Sequence, residues 1–326
     1  MTVTRRSLAA LCTVVLWGCG GSDVDDAAPP PAAEDGPAAV AGPSRPQTLA
    51  EAVDGPSRVP LWQVSDEDTL VYLLGTVHLM QPGTSWKTDA IRAAMTQAEA
   101  TYLEADVFSK DAQRAMGIVV TRTAENPGGT TLSSFYTRQE QETIREAMSA
   151  IGLSLSDMDA YRPWFAAMQL GVLALVEAGG DPTAGVDISV ARAMQLRDVP
   201  LRYLETAAQQ ISLLSAGDDE KDAQYLLDLV SDLGKGEAYY ADLIGAWYEG
   251  DTERLDFLVN GRMQDYPDLH RRLVIERNMD WAQQIDRLMT DEPGTFLVAV
   301  GAGHLVGEHA VQEQLAARGY APQRVE

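Results

Sequence analysis

Four histidines occur in the 326-residue chain, and two of them close similar tetrapeptides, Gly75-Thr76-Val77-His78 and Gly301-Ala302-Gly303-His304. Each tetrapeptide follows an apolar run: Thr69-Leu70-Val71-Tyr72-Leu73-Leu74 before the first, Thr295-Phe296-Leu297-Val298-Ala299-Val300 before the second. A glycine at the exit of a strand lets the backbone turn sharply and approach a ligand, so Gly75, Gly301 and Gly303 are expected to be backbone turns that aim the imidazoles across the sheet edge. Imidazole titrates near neutral pH and is the commonest metal-ligating side chain, so a repeated Gly-x-x-His at strand ends points to acid–base or metal chemistry. A third run, Ala100-Thr101-Tyr102-Leu103, ends in Glu104. If the strands at 70–74 and 101–103 are parallel neighbours, Glu104 stands beside His78 at the edge where open α/β sheets gather ligands. If the last run is parallel too, His304 joins them. His78, Glu104 and His304 then have the composition of a catalytic metal site with three protein ligands and room for water, a set that suits zinc.

Arg277 and Asn278, within the helical stretch around Glu276, are candidate donors to a developing oxyanion. Glu104 is expected to serve as a ligand or as the base that deprotonates the attacking water. Asp106 is an extra ligand candidate whose plainer role is helix capping, and Asp187 and Glu205 are candidates for orienting the ligands or for caps. Glu308 is four residues after His304 and can share a helix face with it, whereas His270 and His309 are left outside the site. Met158, Met168 and Met194 fall at ordinary core spacing and read as packing. The chain carries no Gly-x-Ser-x-Gly elbow, no Walker loop and no His-x-x-x-His helix, so a metal site here must be assembled from distant strand ends.

The positioning elements follow from periodicity. Leu61 to Val64 and Thr69 to Leu74 are predicted to form a hairpin around Ser65-Asp66-Glu67-Asp68. Thr88 to Ala98 has helical spacing, with Ile91, Met95 and Ala98 on one side, and leads into the strand ending at Glu104. Asp111 to about Arg197 is mostly helical, broken at Asn126-Pro127-Gly128-Gly129 and Gly179-Gly180-Asp181-Pro182. Val199 to Leu204 resembles a strand, Ala207 to Met289 returns to helices, and Val306 to Arg318 has helical spacing closed by Gly319. The run at 295–300 is apolar throughout, as expected of a strand buried on both faces. The predicted class is α/β: a central, mostly parallel or mixed sheet with flanking helices and a large helical insertion. No solenoid-like repeat is present.

At the amino terminus, Arg5 and Arg6 precede an apolar run from Leu8 to Trp17, too short to span a bilayer and suited to a signal peptide over 1–18. Leu16-Trp17-Gly18-Cys19 resembles the lipobox of bacterial lipoproteins, which makes Cys19 the expected lipidation site. Residues 19–48, poor in large apolar side chains, are expected to be a disordered tether, and 49–326 the folded domain. Of the two cysteines, Cys12 lies in the leader, so no disulfide is expected and stability rests on the core. The formal net charge of −23 makes nucleic-acid binding improbable and leaves membrane attachment to acyl chains. The expected location is the bacterial envelope, facing the periplasm. Gly20 after the cysteine resembles proteins sent to the outer membrane.

Taken together, Leu61-Trp62-Gln63-Val64, Tyr72 to His78, Leu103-Glu104-Ala105-Asp106, Arg162-Pro163-Trp164, Gly185-Val186-Asp187, Leu204-Glu205-Thr206, Glu276 to Ala282 and Val298 to Gly307 resemble the TraB/GumN family, which includes the Tiki-type membrane proteases. The resemblance runs from about Leu61 to Arg324. It implies an α/β core like that of erythromycin esterases and haem-binding ChaN-like lipoproteins, with the two Gly-x-x-His motifs and an acidic residue forming the site. From the Tiki-type proteases it implies a divalent metal, manganese or cobalt, and peptide substrates. The expected function is metal-dependent hydrolysis of a peptide or a related amide or ester by an envelope-anchored protein. The rival expectations are a binding lipoprotein that captures haem, iron or a peptide without turnover, and a scaffold in envelope assembly.

Overall fold

The computed structural model describes residues 45–233 and 236–326. The leader, Cys19 and the expected tether up to residue 44 lie outside them. Helix α1 (Leu49–Ala52) is capped by the Thr48 hydroxyl, which accepts from the Glu51 amide. The hairpin of β1 (Leu61–Ser65) and β2 (Thr69–Thr76) follows, its turn closed by Asp66, whose carboxylate accepts from the amides of Asp68 and Thr69. Helix α2 (Asp89–Gln97), capped by Thr88, leads into β3 (Ala100–Ala105). A helical stretch comes next, made of α3 (Lys110–Thr123), α4 (Arg138–Ala150), the single turn α5 (Leu155–Met158), α6 (Pro163–Glu177) and α7 (Val186–Gln195).

The strand β4 (Leu201–Glu205) divides this stretch from a second one. That one comprises α8 (Ala207–Ser215), α9 (Asp219–Leu233), α10 (Gly236–Glu249), α11 (Thr252–Val259), the turn α12 (Pro267–His270), a π-helical segment over Arg271–Ile275, and α13 (Glu276–Asp291). Strand β5 (Gly294–Gly301) ends in a 3-10 turn over Ala302–Leu305, and α14 (Val311–Ala316) and the short β6 (Gln323–Arg324) complete the chain. The helix expected from Val306 starts only at Val311, because Gly307, at φ +79°, reverses the chain first. Gly319, at φ +99°, lies past its end as expected.

The strands are ordered β4-β3-β5-β2-β1-β6 in one mixed sheet. The four strands β4, β3, β5 and β2 are parallel, and β1 and β6 add an antiparallel edge. Strands β2 and β3 are therefore not neighbours: β5 lies between them, pairing with β2 from Thr69↔Gly294 to Thr76↔Gly301 and with β3 from Ala100↔Phe296 to Leu103↔Ala299. The most apolar run takes the central position because both of its faces are covered. On one face Leu74, Leu103, Leu297 and Ala299 pack with α7, α10 and α11 through Val190, Ile244, Trp247 and Leu255. On the other, Val71, Leu73, Val298 and Val300 pack with α13 and α14 through Trp281, Ile285, Leu288 and Leu315. Ile144, Met148, Leu170 and Leu226 form a separate core among α4, α6 and α9. All four parallel strands end at one rim, and β5 brings its Gly-x-x-His beside that of β2.

Candidate functional site

The pairing of Thr76 with Gly301 makes the chain leave β2 and β5 side by side, and Glu104 ends β3 on the other flank of β5. A Cβ placed on Gly301 would lie 3.0 Å from Oε1 of Glu104, 3.7 Å from Nε2 of His78 and 3.8 Å from Cδ2 of His304. The three predicted side chains thus converge around one backbone position, where a side chain would press on Glu104. The Gly301 amide donates to Glu104 Oε1 at 2.6 Å. The glycines were expected to let the backbone turn sharply and approach closely; none of Gly75, Gly301 and Gly303 has a positive φ, and what each permits is close approach, since Cβ atoms there would stand 3.2 Å from Ala302 Cβ at Gly75 and 2.7 Å from Val259 Cγ1 at Gly303.

His304 is completely buried and its tautomer follows from its partners. The Asn278 amide nitrogen donates to the carbonyls of His309 (2.8 Å) and His304 (3.3 Å), which turns the amide oxygen towards Nδ1 of His304. Nδ1 therefore carries the proton, and Nε2 accepts from Nη1 of Arg277 at 3.0 Å. Burial first, then the charges of Arg277 and His78, hold the pKa of His304 well below the ordinary histidine value, so the ring is neutral at pH 7. Trp281 lies under the pair, its ring 4.3 Å from that of His304 and 4.6 Å from the Arg277 guanidinium.

Arg277 was expected to donate to an oxyanion. Its guanidinium is instead the hub of the rim: Nε donates to Glu205, Nη1 to the Leu273 carbonyl and His304, and Nη2 to Glu104 (2.8 Å) and Glu205. All five N–H groups of the fork are engaged. Asn278 is likewise spent on His304 and two carbonyls, so it holds the imidazole in place. Glu104 takes a third donor, Nε2 of Gln210 at 3.1 Å. Burial raises the pKa of Glu205, aided by the charge of Glu104 and opposed by Arg277.

His78 sits just past β2, with Nδ1 3.4 Å from the Asp187 carboxylate in the first turn of α7. That turn is docked on the loop through the Val186 amide, which donates to the Val77 carbonyl at 2.8 Å. Burial disfavours the protonated ring, but Asp187, with help from Glu104, outweighs burial and the opposing charge of Arg277, and the pKa is raised above 6.5. The Nε2 atom is buried and has no hydrogen-bond partner among the described residues. An imidazole held by a carboxylate at Nδ1 with its other nitrogen open is the usual posture of a metal ligand.

A divalent cation at this rim would find two open donors: Nε2 of His78 and the lone pair that Glu104 Oε1 keeps after accepting from Gly301. The third expected ligand, Nε2 of His304, faces Arg277. Among the described residues no three of His, Cys, Asp and Glu are grouped so as to hold a metal ion. The residues present fit a cation held by His78 and Glu104, with the Arg277–His304 pair beside it.

The remaining candidates lie elsewhere. Asp106 accepts from the amides of Phe108 and Ser109 at 2.9 Å each and shapes the turn before α3. Glu308 is exposed, and the His270 and His309 rings lie 6.4 Å apart. Gln210 was not anticipated. The one local signal was the Thr206–Gln209 capping box that starts α8 and sets which of its faces turns inward.

The sequence model of the TraB/PrgY/gumN family matches residues 60–324. The chain is similar to the uncharacterized protein YbaP of Escherichia coli (strain K12), with 23% identity over 244 residues, which cover 75% of this chain and 87% of that protein. YbaP of Shigella flexneri matches with the same identity and coverage. No solved structure matches.

Proposed function

The chain belongs to the TraB/PrgY/gumN family, and from that premise we propose that its rim is a hydrolytic centre cleaving a peptide or a related amide or ester bond with a divalent cation. The observation that carries this is the open Nε2 of His78: buried, oriented by Asp187 and facing the same point as Glu104. Leaving such an atom unsatisfied costs about 1–3 kcal/mol, which a bound group at this position recovers. His78 and Glu104 would hold the cation. When bound, it supplies Lewis-acid polarisation; zinc suits an imidazole–carboxylate donor set, and manganese or cobalt accepts it too.

Glu104 keeps one open lone pair, on Oε1, so it serves either as a ligand of the cation or as the base that takes the proton of the attacking water, and not as both at once. Three donors, from Gly301, Arg277 and Gln210, fix the carboxylate, so it needs little reorganisation as the proton arrives. Arg277 balances the negative charge of Glu104 and Glu205, and Asn278 keeps His304 in the tautomer that accepts from Arg277. Neither is assigned to the oxyanion.

The test is peptide cleavage by the purified protein with zinc, manganese or cobalt, before and after chelation, beside the Glu104→Gln variant. Chelation is expected to abolish turnover and metal to restore it. Glu104→Gln is expected to lower kcat by about 100-fold or more. Equal turnover in the variant removes Glu104 from the reaction.

A further inference from the structure

A cavity opens beside the rim on the face of the sheet covered by α6, α10 and α11. Counting its open mouth it occupies about 490 Å³. Leu175, Leu243, Ile244, Leu255 and Val259 form its walls, and the chain from Thr76 to Leu79 and from Gly301 to Gly303 forms its base. No Asp, Glu, Lys or Arg is among the described residues that line it. The Tyr240 hydroxyl, also on the wall, donates to the Leu79 carbonyl at 2.9 Å.

Two side-chain polar atoms at the base have no partner among the described residues: Nε2 of His78 and Oγ1 of Thr76, a residue 2% exposed. Thr76 is one residue from Val77 and pairs with Gly301, so its hydroxyl is at the junction of cavity and rim. An apolar pocket with a buried, unsatisfied hydroxyl at its base has a defined complement. The occupant's body is apolar, because wall contacts reward hydrocarbon and a charge would lose its hydration with no counter-charge to meet. At its base it carries an acceptor for the hydroxyl proton.

We propose that this cavity is the specificity pocket of the rim, taking one uncharged apolar group joined to a carbonyl whose oxygen accepts from the Thr76 hydroxyl. Two sources share that chemistry, the side chain of a residue such as leucine and a short acyl chain on an amide. The pocket rests on the hydrolytic proposal only for what happens to the carbonyl; binding stands apart from turnover.

The test measures binding of N-acetyl-leucinamide, N-acetyl-lysinamide and hexanamide to the full-length Glu104→Gln protein by ligand-observed NMR, and cleavage of leucine- and lysine-containing peptides by the wild type. N-acetyl-leucinamide is expected to bind at least about tenfold more tightly than the lysine compound, the discrimination a pocket gains from burying a few methylenes. Leu243→Trp, added to the binding protein, fills the cavity and should erase the preference. Thr76→Val keeps the shape and removes a buried hydroxyl without a partner among the described residues, so thermal unfolding should not fall while binding of the leucine compound weakens several-fold. Hexanamide binding as tightly as N-acetyl-leucinamide assigns the pocket to acyl chains, and weaker binding assigns it to side chains. Equal affinity for the leucine and lysine compounds, or a preference that survives Leu243→Trp in a folded protein, overturns the pocket. Cleavage without preference would do the same while leaving the hydrolytic centre standing, and preference without wild-type cleavage would sink the centre and keep the pocket.

Discussion

Arg277 is the side chain on which the charges of the rim close. It lies between two carboxylates whose side chains are 9% and 7% exposed and donates to a neutral histidine. Burial works against its protonated form, and Glu104 and Glu205 more than offset this, so its pKa is raised. Removing one partner of such a group is worse than never having built it, because the others remain desolvated and unpaired. Arg277→Met is therefore expected to lower unfolding free energy by about 3–5 kcal/mol at pH 7.5. The sign of the pH effect follows from the same charges. Without the guanidinium, which opposes the burial that raises the Glu205 pKa, Glu205 binds a proton more readily folded than unfolded, so the variant should regain stability as the pH falls towards 5. Denaturant titrations at the two pH values check both points, and a variant as stable as wild type at pH 7.5 would show that the guanidinium is not holding the carboxylates.

Helices α9 and α13 show how the helical stretches reach the rim. The π-helical segment before α13 carries Arg272, whose charge acts on Asp222 of α9, and Asp222 is 6% exposed with Oδ2 unpartnered among the described residues. Burial raises the Asp222 pKa from 3.8 to about 6, with Arg272 and Arg162 opposing and Asp219 and Asp218 reinforcing. A raised carboxylate pKa means the folded state binds the proton more tightly, so this group's contribution is favourable at low pH and is lost as the pH rises from about 4 to about 6. Asp222→Asn removes that dependence. It should match wild type near pH 4 and exceed it at pH 7 by on the order of 2 kcal/mol, read by thermal unfolding across the range; parallel curves would refute the assignment. Arg272 also shows what was legible. Apolar runs marked the strands, because a strand buried on both faces is written in consecutive residues, and three of their ends carried His78, Glu104 and His304. The insertion of β5 between β2 and β3 was not legible, since strand order is decided by packing between segments nearly two hundred residues apart in the chain. Nor was the engagement of Arg277, Asn278 and Gln210, because a helix residue's partner depends on how the helix docks, which local spacing does not record.

An acidic body and an acyl anchor make a consistent pair. With a formal net charge of −23, the protein is repelled by anionic headgroups within a Debye length, about 8 Å at physiological salt, and no helix among the described residues is long and apolar enough to cross a membrane. We propose that attachment comes from acylation at Cys19. The folded part begins with α1, whose Leu49 and Ala52 are buried in the first core, so the chain from Cys19 to Leu49 can carry the rim at most about 100 Å from the bilayer. One acyl chain gives marginal binding and two or more give stable anchoring, so the anchor decides location by itself. Cys19→Ala should therefore move the protein from the membrane pellet to the soluble fraction of disrupted cells and abolish labelling by radioactive palmitate, with peptide cleavage per molecule unchanged. The same variant should fail to sediment with vesicles rich in phosphatidylglycerol at any salt concentration, because attraction is absent and not merely screened. Sedimentation of the variant with cell membranes would place the attachment in the folded body and remove the lipid from the account.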